Sequence, residues 1–189
     1  FLKDDDCIIE QLHNGDLEIE PKFFIPCIPL ILCNGADGIG TGHATDILQY
    51  NPKDIQQAIK KILNGENVAK HSLTPWFGEA FTGTVKKDAT TGQVEIIGKW
   101  EFYKKNRSNF LKITELPVGT QGDNYKKMLD KMESEGVILD YDNLSDKNGF
   151  EFIIKVTPET VEMPTDKLVK MVKLVSKTTE NFTVWNPDG

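Results

Sequence analysis

Between residues 78 and 116 the hydrophobic positions recur at every second residue, which is the spacing of β-strands with one buried face. Segment 88–92, which reads Asp-Ala-Thr-Thr-Gly, interrupts this alternation and predicts a hairpin turn. A basic turn at 104–107 separates the next two strands, and another alternating strand covers 150–156. The return strand of the first hairpin is predicted to carry Val94, Ile96, Gly98, Trp100 and Phe102.

Other segments have the three- and four-residue spacing of amphipathic helices. In the clearest of these, Asn51 is a capping residue, Pro52 suits the first turn, and Gly65 ends the helix. A second helix is predicted at about 123–135. Shorter helical turns, interrupted by a proline, are predicted within 157–172.

The two ends of the chain have less regular patterns. Three aspartates at 4–6 precede apolar residues and predict a short capped helix that ends near Asn14-Gly15. Two prolines in the apolar segment 23–33 cannot donate to a sheet ladder, which disfavours a central strand there. The segment is predicted to be extended and buried and to lead into a loop. A last strand is predicted from Phe182 to Trp185. Together these elements predict an α+β fold with a mixed or antiparallel sheet, hairpins and packed helices.

Composition narrows the class of protein. The chain has 189 residues, of which 39% are hydrophobic and 27% charged, as in globular proteins. No apolar run approaches the ~20 residues that span a membrane, and no basic and apolar leader opens the chain. Its three cysteines have neither zinc-ligand nor redox spacing, so buried reduced thiols and a cytoplasmic location are expected. The net charge of -7 argues against DNA binding by bulk electrostatics.

A glycine-rich loop at 34–43 is the main candidate for function. Glycines permit positive φ and close approach of a ligand to the backbone. A nucleotide phosphate loop is one interpretation, but the Walker lysine is missing and His43 stands where the dinucleotide fingerprint has its third glycine. A purely structural turn is the second. The third is a nucleic-acid wedge, since Ile39 stands between Gly38 and Gly40 and an apolar side chain on a slim support can enter a base step.

The segment from Glu20 to Gly42 closely resembles a signature of type IIA DNA topoisomerases. Eukaryotic members have E-P-x-x-Y/F-x-P-I-I-P-M-x-L-x-N-G-A-E-G-I-G-T-G, and the similarity is long and without gaps. His43-Ala44-Thr45 is nearer the bacterial gyrase form G-M-A-T, and Ile113 to Pro117 resembles the I-x-E-L/I-P end of a family strand. Segment 144–150 resembles the gyrase D-E-S-D-K-D-G segment, so the resemblance covers roughly residues 1–186.

The resemblance implies the central DNA-gate region, or tower, of the breakage-reunion subunit. Residues 1–20 would be the tail of the preceding winged-helix region and residues 21–189 the tower. The family passes one duplex through a transient double-strand break in another, and the tower supports the bent gate duplex. By this similarity Ile39 is the intercalating isoleucine. The DNA-binding residues implied are Asn34, Gly35, Gly38, Ile39, Gly40, Thr41, Gly42 and His43.

The resemblance also implies what lies elsewhere in such an enzyme. Mg²⁺ and ATP are held by other domains or subunits, so no cofactor is expected here. The expected partners are double-stranded DNA and the subunits that carry the TOPRIM and ATPase domains. The whole subunit is expected to form a homodimer and not to associate with membranes. No tyrosine of this chain has the family's A-R-Y-x-F-like setting, so the chain alone is expected not to cleave DNA. With its abundant lysine and its single arginine, Arg107, the chain looks most like the medium subunit of a T-even-type phage topoisomerase.

Two points stay open at the level of sequence. His43 occupies a position that is often Trp or Met in relatives, so its contact with DNA is undecided. The basic turn from Lys104 to Arg107 is either a solvated hairpin turn or a contact for DNA phosphates. Besides a DNA-bending domain, a nucleotide-binding enzyme domain and a scaffold for protein interfaces remain alternative functions.

Overall fold

The predicted α+β class is confirmed by a computed structural model of the chain, which describes residues 4, 7–40, 42–69, 72–147 and 149–184. Every pair of neighbouring strands within its sheets is antiparallel. Two compact units share the chain. Unit 1 comprises residues 1–69 and 181–189, and unit 2 comprises residues 70–180. No helix within the described ranges is long and apolar enough to cross a lipid bilayer.

Within its described residues, unit 1 contains two hairpins and two helices. Its elements are β1 (Gln11–Asn14), β2 (Leu17–Pro21), α1 (Leu30–Asn34), β3 (Ala36–Gly40), β4 (His43–Ile47) and α2 (Pro52–Leu63). The predicted capping of α2 is confirmed, because the Asn51 side chain accepts a hydrogen bond of 2.9 Å from the backbone N–H of Lys53. Gly65 follows the helix at φ 79°, and Ile55 is the buried residue of its apolar stripe.

The helix predicted before Asn14-Gly15 is wrong, since β1 and β2 form an antiparallel hairpin there. Asn14 pairs with Leu17, so the loop is Gly15-Asp16, and Gly15 has the positive φ of 63° that such short loops require. The tight turn at this glycine therefore determines the local structure, although the acidic residues earlier in the chain suggested a helix N-terminus. Asp5 and Asp6 of the acidic run lie outside the described residues.

The burial predicted for segment 23–33 is also wrong. Phe23 and Phe24 are each 55% exposed, and the segment ends in the short helix α1 instead of staying extended. Of the cysteines that were expected to be buried, Cys7 and Cys27 are exposed and Cys33 is half-buried. Apolar residues tend to be buried away from water, but their presence in a segment does not specify whether another part of the same chain covers them.

The part of unit 2 that the structure describes contains two antiparallel sheets and three helices. Its strands are β5 (Thr84–Lys87), β6 (Gln93–Ile97), β7 (Trp100–Lys105), β8 (Ser108–Ile113), β9 (Asp140–Asn143), β10 (Phe152–Val156) and β11 (Val175–Thr179). Its helices are α3 (Gly122–Ser134), α4 (Pro158–Val161) and α5 (Thr165–Met171). One sheet has the strand order β7-β8-β10-β9 and the other β11-β6-β5.

The core of unit 2 joins α3 and α5 to the buried face of the four-stranded sheet. Alternate residues of β8 and β10 are fully buried, as the period of two predicts, and Tyr125 of α3 stacks edge-on against Phe152 at 5.2 Å between ring centroids. The Tyr125 hydroxyl donates a hydrogen bond of 2.6 Å to the carbonyl of Val172, and burial raises the pKa of this phenol. The predicted helix at about 123–135 is thereby confirmed.

The hairpin turn predicted at 88–92 is confirmed, because the Asp88 carboxylate accepts hydrogen bonds from the backbone N–H groups of Thr90 and Thr91. The prediction of a single return strand that continues through Gly98 is wrong. β6 and β7 belong to different sheets, and the chain crosses between them at this glycine. A Cβ at Gly98 would lie 2.2 Å from the carbonyl oxygen of Glu115, so only glycine fits this crossing.

The sequence pattern did not predict strands β9 and β11, and it predicted a strand at 182–185 where the described residues form none. β11 pairs along its whole length with β6, whereas Phe182 and Val184 lie outside any strand and Trp185 lies outside the described residues. β11 reads Val-Ser-Lys-Thr-Thr, and β9 reads Asp-Tyr-Asp-Asn, so neither has a clear apolar alternation. Both are edge strands that backbone pairing defines. β11 pairs with β6, which is distant in sequence, whereas β9 pairs with β10, the next strand along the chain.

Candidate nucleic-acid interface

The glycine-rich loop is a β-hairpin of unit 1. β3 and β4 pair in register from Ala36 opposite Ile47 to Gly40 opposite His43. The chain turns back between Gly40 and His43. Gly42 has φ 81°, a value that favours glycine, and Thr41 lies outside the described residues.

Ile39 lies one pair below the tip, directly opposite Ala44. Its side chain is 93% exposed, which excludes the interpretation that it is a core residue. Such exposure is unusual for isoleucine, a residue that is most often fully buried. The hairpin therefore presents one large apolar side chain to its surroundings with only a small alanine across from it.

The glycines on either side of Ile39 are not required by packing within the described part of the chain. A Cβ added at Gly38 would meet no atom within 4 Å, and one at Gly40 would lie 3.6 Å from the carbonyl oxygen of His43. Neither glycine has a positive φ. Their missing side chains leave the backbone open, which is what close approach by another molecule needs.

Gly35 has a different role at the base of the hairpin. Its φ of 70° and ψ of 173° fall in a region open essentially to glycine alone, and a Cβ there would lie 2.7 Å from the carbonyl oxygen of Ile47. This glycine turns the chain from α1 into β3. The Asn34 carbonyl before it accepts a hydrogen bond of 3.0 Å from the side-chain amide of Gln49.

Replacing Gly35 by alanine is expected to destabilise the chain by about 1–3 kcal/mol, because the backbone conformation is strained for any side chain. The same replacement at Gly38 should change the free energy of unfolding by less than about 0.5 kcal/mol. Urea unfolding of both variants measures the difference. Equal losses at the two positions would show that the base of the hairpin is not held as described.

The outer edge of β4 is held by the end of the described chain. Asp46 and Asn181 exchange two backbone hydrogen bonds, of 3.0 and 2.8 Å, and the Thr45 hydroxyl donates to the carbonyl of Thr183. Ile47, the last residue of β4, is buried. β4 is thus held by β3 along one edge and by the segment at Asn181 and Thr183 along the other, which supports the exposed tip.

A cavity of about 210 Å³ lies beside the hairpin. It is lined by Gly38, Gly40, His43, Ala44, Thr45, Thr183 and Val184. Gly38 and Gly40 share a strand face with their partners Thr45 and His43, and Ile39 points to the opposite face. His43 therefore lines the cavity and lies on the other side of the hairpin from Ile39.

Two carboxylates lie below Ile39 on its own face, because Asp37 stands directly opposite Asp46. This pair disfavours an approaching phosphate, so the hairpin offers apolar surface and not positive charge. The glycines also lead into strand β4, whereas nucleotide phosphate loops place the phosphate at a helix N-terminus. The strand that follows the glycines argues against the nucleotide-binding alternative, whereas the acidic pair opposes the phosphates of nucleotides and of DNA alike.

The structure brings together the predicted site residues that it describes. Gly38, Ile39, Gly40, Gly42 and His43 lie at or near the tip, whereas Asn34 and Gly35 form the base. Sequence reasoning missed the support from Asn181 and Thr183. They lie more than 130 residues from the loop, and no local pattern links them to it. Whether the tip residues contact DNA stays a prediction.

Comparison with known proteins identifies the family. The family model for the A subunit of DNA gyrase and topoisomerase IV matches residues 1–187. The chain belongs to this family. The family resemblance inferred from the glycine-rich segment is therefore confirmed.

Similarity to individual proteins supports the same family assignment. DNA topoisomerase 2 of Plasmodium falciparum is 36% identical over 193 residues, which cover 100% of this chain and 13% of that protein. DNA topoisomerase 2 of Arabidopsis thaliana is 32% identical over 164 residues, covering 85% of the chain and 11% of that protein. The chain thus spans little more than a tenth of the length of these relatives. Both are eukaryotic, so they lend no support to the phage-type likeness.

A solved structure shows the same fold. It is a crystal structure of the DNA-binding, cleavage and re-ligation domain of Plasmodium falciparum topoisomerase II, with a TM-score of 0.70 and 36% sequence identity. The match covers 94% of this chain and 24% of that one. Over 94% of this chain, its α+β arrangement therefore matches part of the topoisomerase relative.

Proposed function

We propose that the chain is the DNA-binding and DNA-bending tower region of an ATP-dependent type II DNA topoisomerase. In this proposal Ile39 enters a base step of the gate duplex during double-strand breakage, strand passage and rejoining. The observation that carries the proposal is the 93% exposure of Ile39 at the end of a glycine-flanked hairpin. The similarity to the Plasmodium domain, which binds, cleaves and re-ligates DNA, supports it.

The physical basis is the cost of opening a base step, which is a few kcal/mol. An isoleucine side chain offers apolar surface that is already exposed, so inserting it removes that surface from water and offsets part of the cost. Gly38 and Gly40 let the hairpin backbone approach the duplex without a Cβ in the way. Because the base of the hairpin is tied to Asn181 and Thr183, the tip can press on the duplex without folding back.

The remaining parts of the reaction are proposed to lie outside this chain. A tyrosine on a winged-helix region would attack the DNA, and bound Mg²⁺ would stabilise charge in that reaction. The TOPRIM and ATPase parts would sit on other domains or subunits of a dimeric cytoplasmic enzyme. The boundary between a winged-helix tail (1–20) and the tower (21–189), the phage-type likeness and the inactivity of this chain by itself are parts of the same proposal.

A titration separates the proposal from its nucleotide-binding alternative. We expect the purified chain to bind a bent or nicked duplex weakly, with affinity that falls steeply as salt rises, because its net charge is -7 and only local cations release counterions. Titration with ATP or NAD should give no heat of binding. Saturable ATP binding, or duplex binding that ignores ionic strength, would contradict the proposed function.

A further inference from the structure

The tip of the β7–β8 hairpin in unit 2 carries a concentration of positive charge. Lys104, Lys105 and Arg107 lie within four residues, and all three are exposed. None of them forms an ion pair within the part of the chain that the structure describes. A local charge of +3 without neutralising partners is notable in a chain whose 29 acidic residues outnumber its 22 basic ones.

The backbone at this tip is the second observation. Asn106 and Arg107 have φ of 48° and 65°, so both lie in the left-handed region. Two-residue loops of this kind strongly prefer Asn followed by Gly. Arg107 stands where glycine is preferred, although the left-handed conformation costs a side chain roughly 1–2 kcal/mol. It is also the only arginine in the 189-residue sequence. Local folding does not explain an arginine at this position.

The strands behind the tip hold it in a defined geometry. Tyr103 and Phe110 face each other across the strands and stack with 5.3 Å between ring centroids and 15° between planes. Lys104 pairs with Asn109 and Lys105 with Ser108, so the two lysines point to opposite faces of the hairpin. Three cations therefore spread around a braced tip, with Arg107 at its end.

We propose that this tip binds the phosphodiester backbone of nucleic acid, with Arg107 as its main contact. A guanidinium can donate two parallel hydrogen bonds to one phosphate, which a lysine cannot do. The two lysines would add contacts to neighbouring phosphates without reading bases. The inference shares its ligand class with the proposed function but does not rest on the role of Ile39, because the residues involved belong to another unit.

The test is a pair of matched glycine variants in the 189-residue chain. Arg107→Gly removes one positive charge from the left-handed tip. Lys173→Gly is the control, because Lys173 is also exposed, positively charged and left-handed, with φ of 49°, and lies in the same unit. In both variants glycine removes the same kind of backbone strain. Binding of a fluorescent duplex of about 30 base pairs, long enough for several phosphate contacts, is measured from low to moderate salt, with thermal melting of each protein.

We expect Arg107→Gly to melt at or above the temperature of the parent chain while binding the duplex about tenfold more weakly at low salt, as for loss of a charged hydrogen bond. The slope of log affinity against log salt should fall by about 0.9, the value for one lost phosphate contact. Lys173→Gly should change neither quantity. Equal weakening by both variants, or unchanged binding by Arg107→Gly, would overturn the proposal.

Two further arms complete the design. A single-stranded oligonucleotide of the same sequence is titrated beside the duplex. If Arg107→Gly loses affinity for both, the tip binds the phosphate backbone of either form, and if it loses affinity for the duplex alone, the tip requires a duplex. Ile39→Ala is measured in parallel for duplex bending. If Ile39→Ala loses bending while Arg107→Gly binds as the parent chain does, the tip proposal alone is overturned. If Ile39→Ala still bends the duplex while Arg107→Gly binds more weakly, the proposed wedge alone is overturned.

Discussion

Replacing Ile39 by alanine is expected to reduce bending of the gate duplex by the complete enzyme sharply, and DNA cleavage with it, while the chain melts at the parent temperature. The side chain is 93% exposed, so its truncation should cost less than about 0.5 kcal/mol of folding free energy. Without it, little apolar surface remains to offset the few kcal/mol needed to open a base step. End-to-end FRET on a labelled duplex measures the bending.

The matched control is Ile62→Ala. Ile62 lies on α2 in the same unit and is 59% exposed, so the chemical change is the same but the residue is not part of the hairpin. This variant should bend and cleave DNA as the parent does. A melting temperature that drops strongly in Ile39→Ala, with bending retained, would show that Ile39 has a structural role and that the hairpin is not a wedge.

Replacing Phe152 by alanine is expected to cost about 3–5 kcal/mol of the free energy of unfolding, the range for large aromatic residues in cores. Phe152 is 1% exposed, lies in the central strand β10, and packs edge-on against Tyr125 of α3. The vacated volume is enclosed by sheet and helix and cannot collapse easily. Urea unfolding followed by circular dichroism measures the loss.

Ile153→Ala is the control for this change. Ile153 is the next residue of β10 and faces the other side of the sheet, where it is only half-buried. A clearly smaller loss is expected there, because less apolar surface leaves water on folding at that position. If the two variants lose the same stability, the assignment of the two faces of this sheet would be incorrect.

Local signals in the sequence were enough to place several elements. The Asn51 cap, Pro52 and Gly65 located α2, and the Asp88 turn located the β5–β6 hairpin, because each depends on residues that are neighbours along the chain. The tip of the β3–β4 hairpin was also found as a candidate, since glycines at every second position beside one isoleucine are rare enough to stand out.

Errors arose where the outcome depended on distant partners. Gly98 looked like one position in a continuous strand, and only its contact with the Glu115 carbonyl shows that the chain crosses there between two sheets. β11 has a weak strand pattern and is defined by its pairing with β6, where Val175 lies opposite Ile97. Phe23 and Phe24 looked like core residues by composition but are largely exposed.

The sequence by itself determined the family, the α+β class and the identity of the hairpin that carries Ile39, because these depend on residue type and short-range spacing. Only the tertiary structure decided that Ile39 projects from the protein, that Asp37 and Asp46 face each other below it, and that Asn181 and Thr183 support the strand beside it. Exposure and support are properties of what surrounds a residue. The Asp37–Asp46 pair depends on the register of the hairpin. The support from Asn181 and Thr183 comes from a segment far away in the chain, so no window of sequence around the loop contains it.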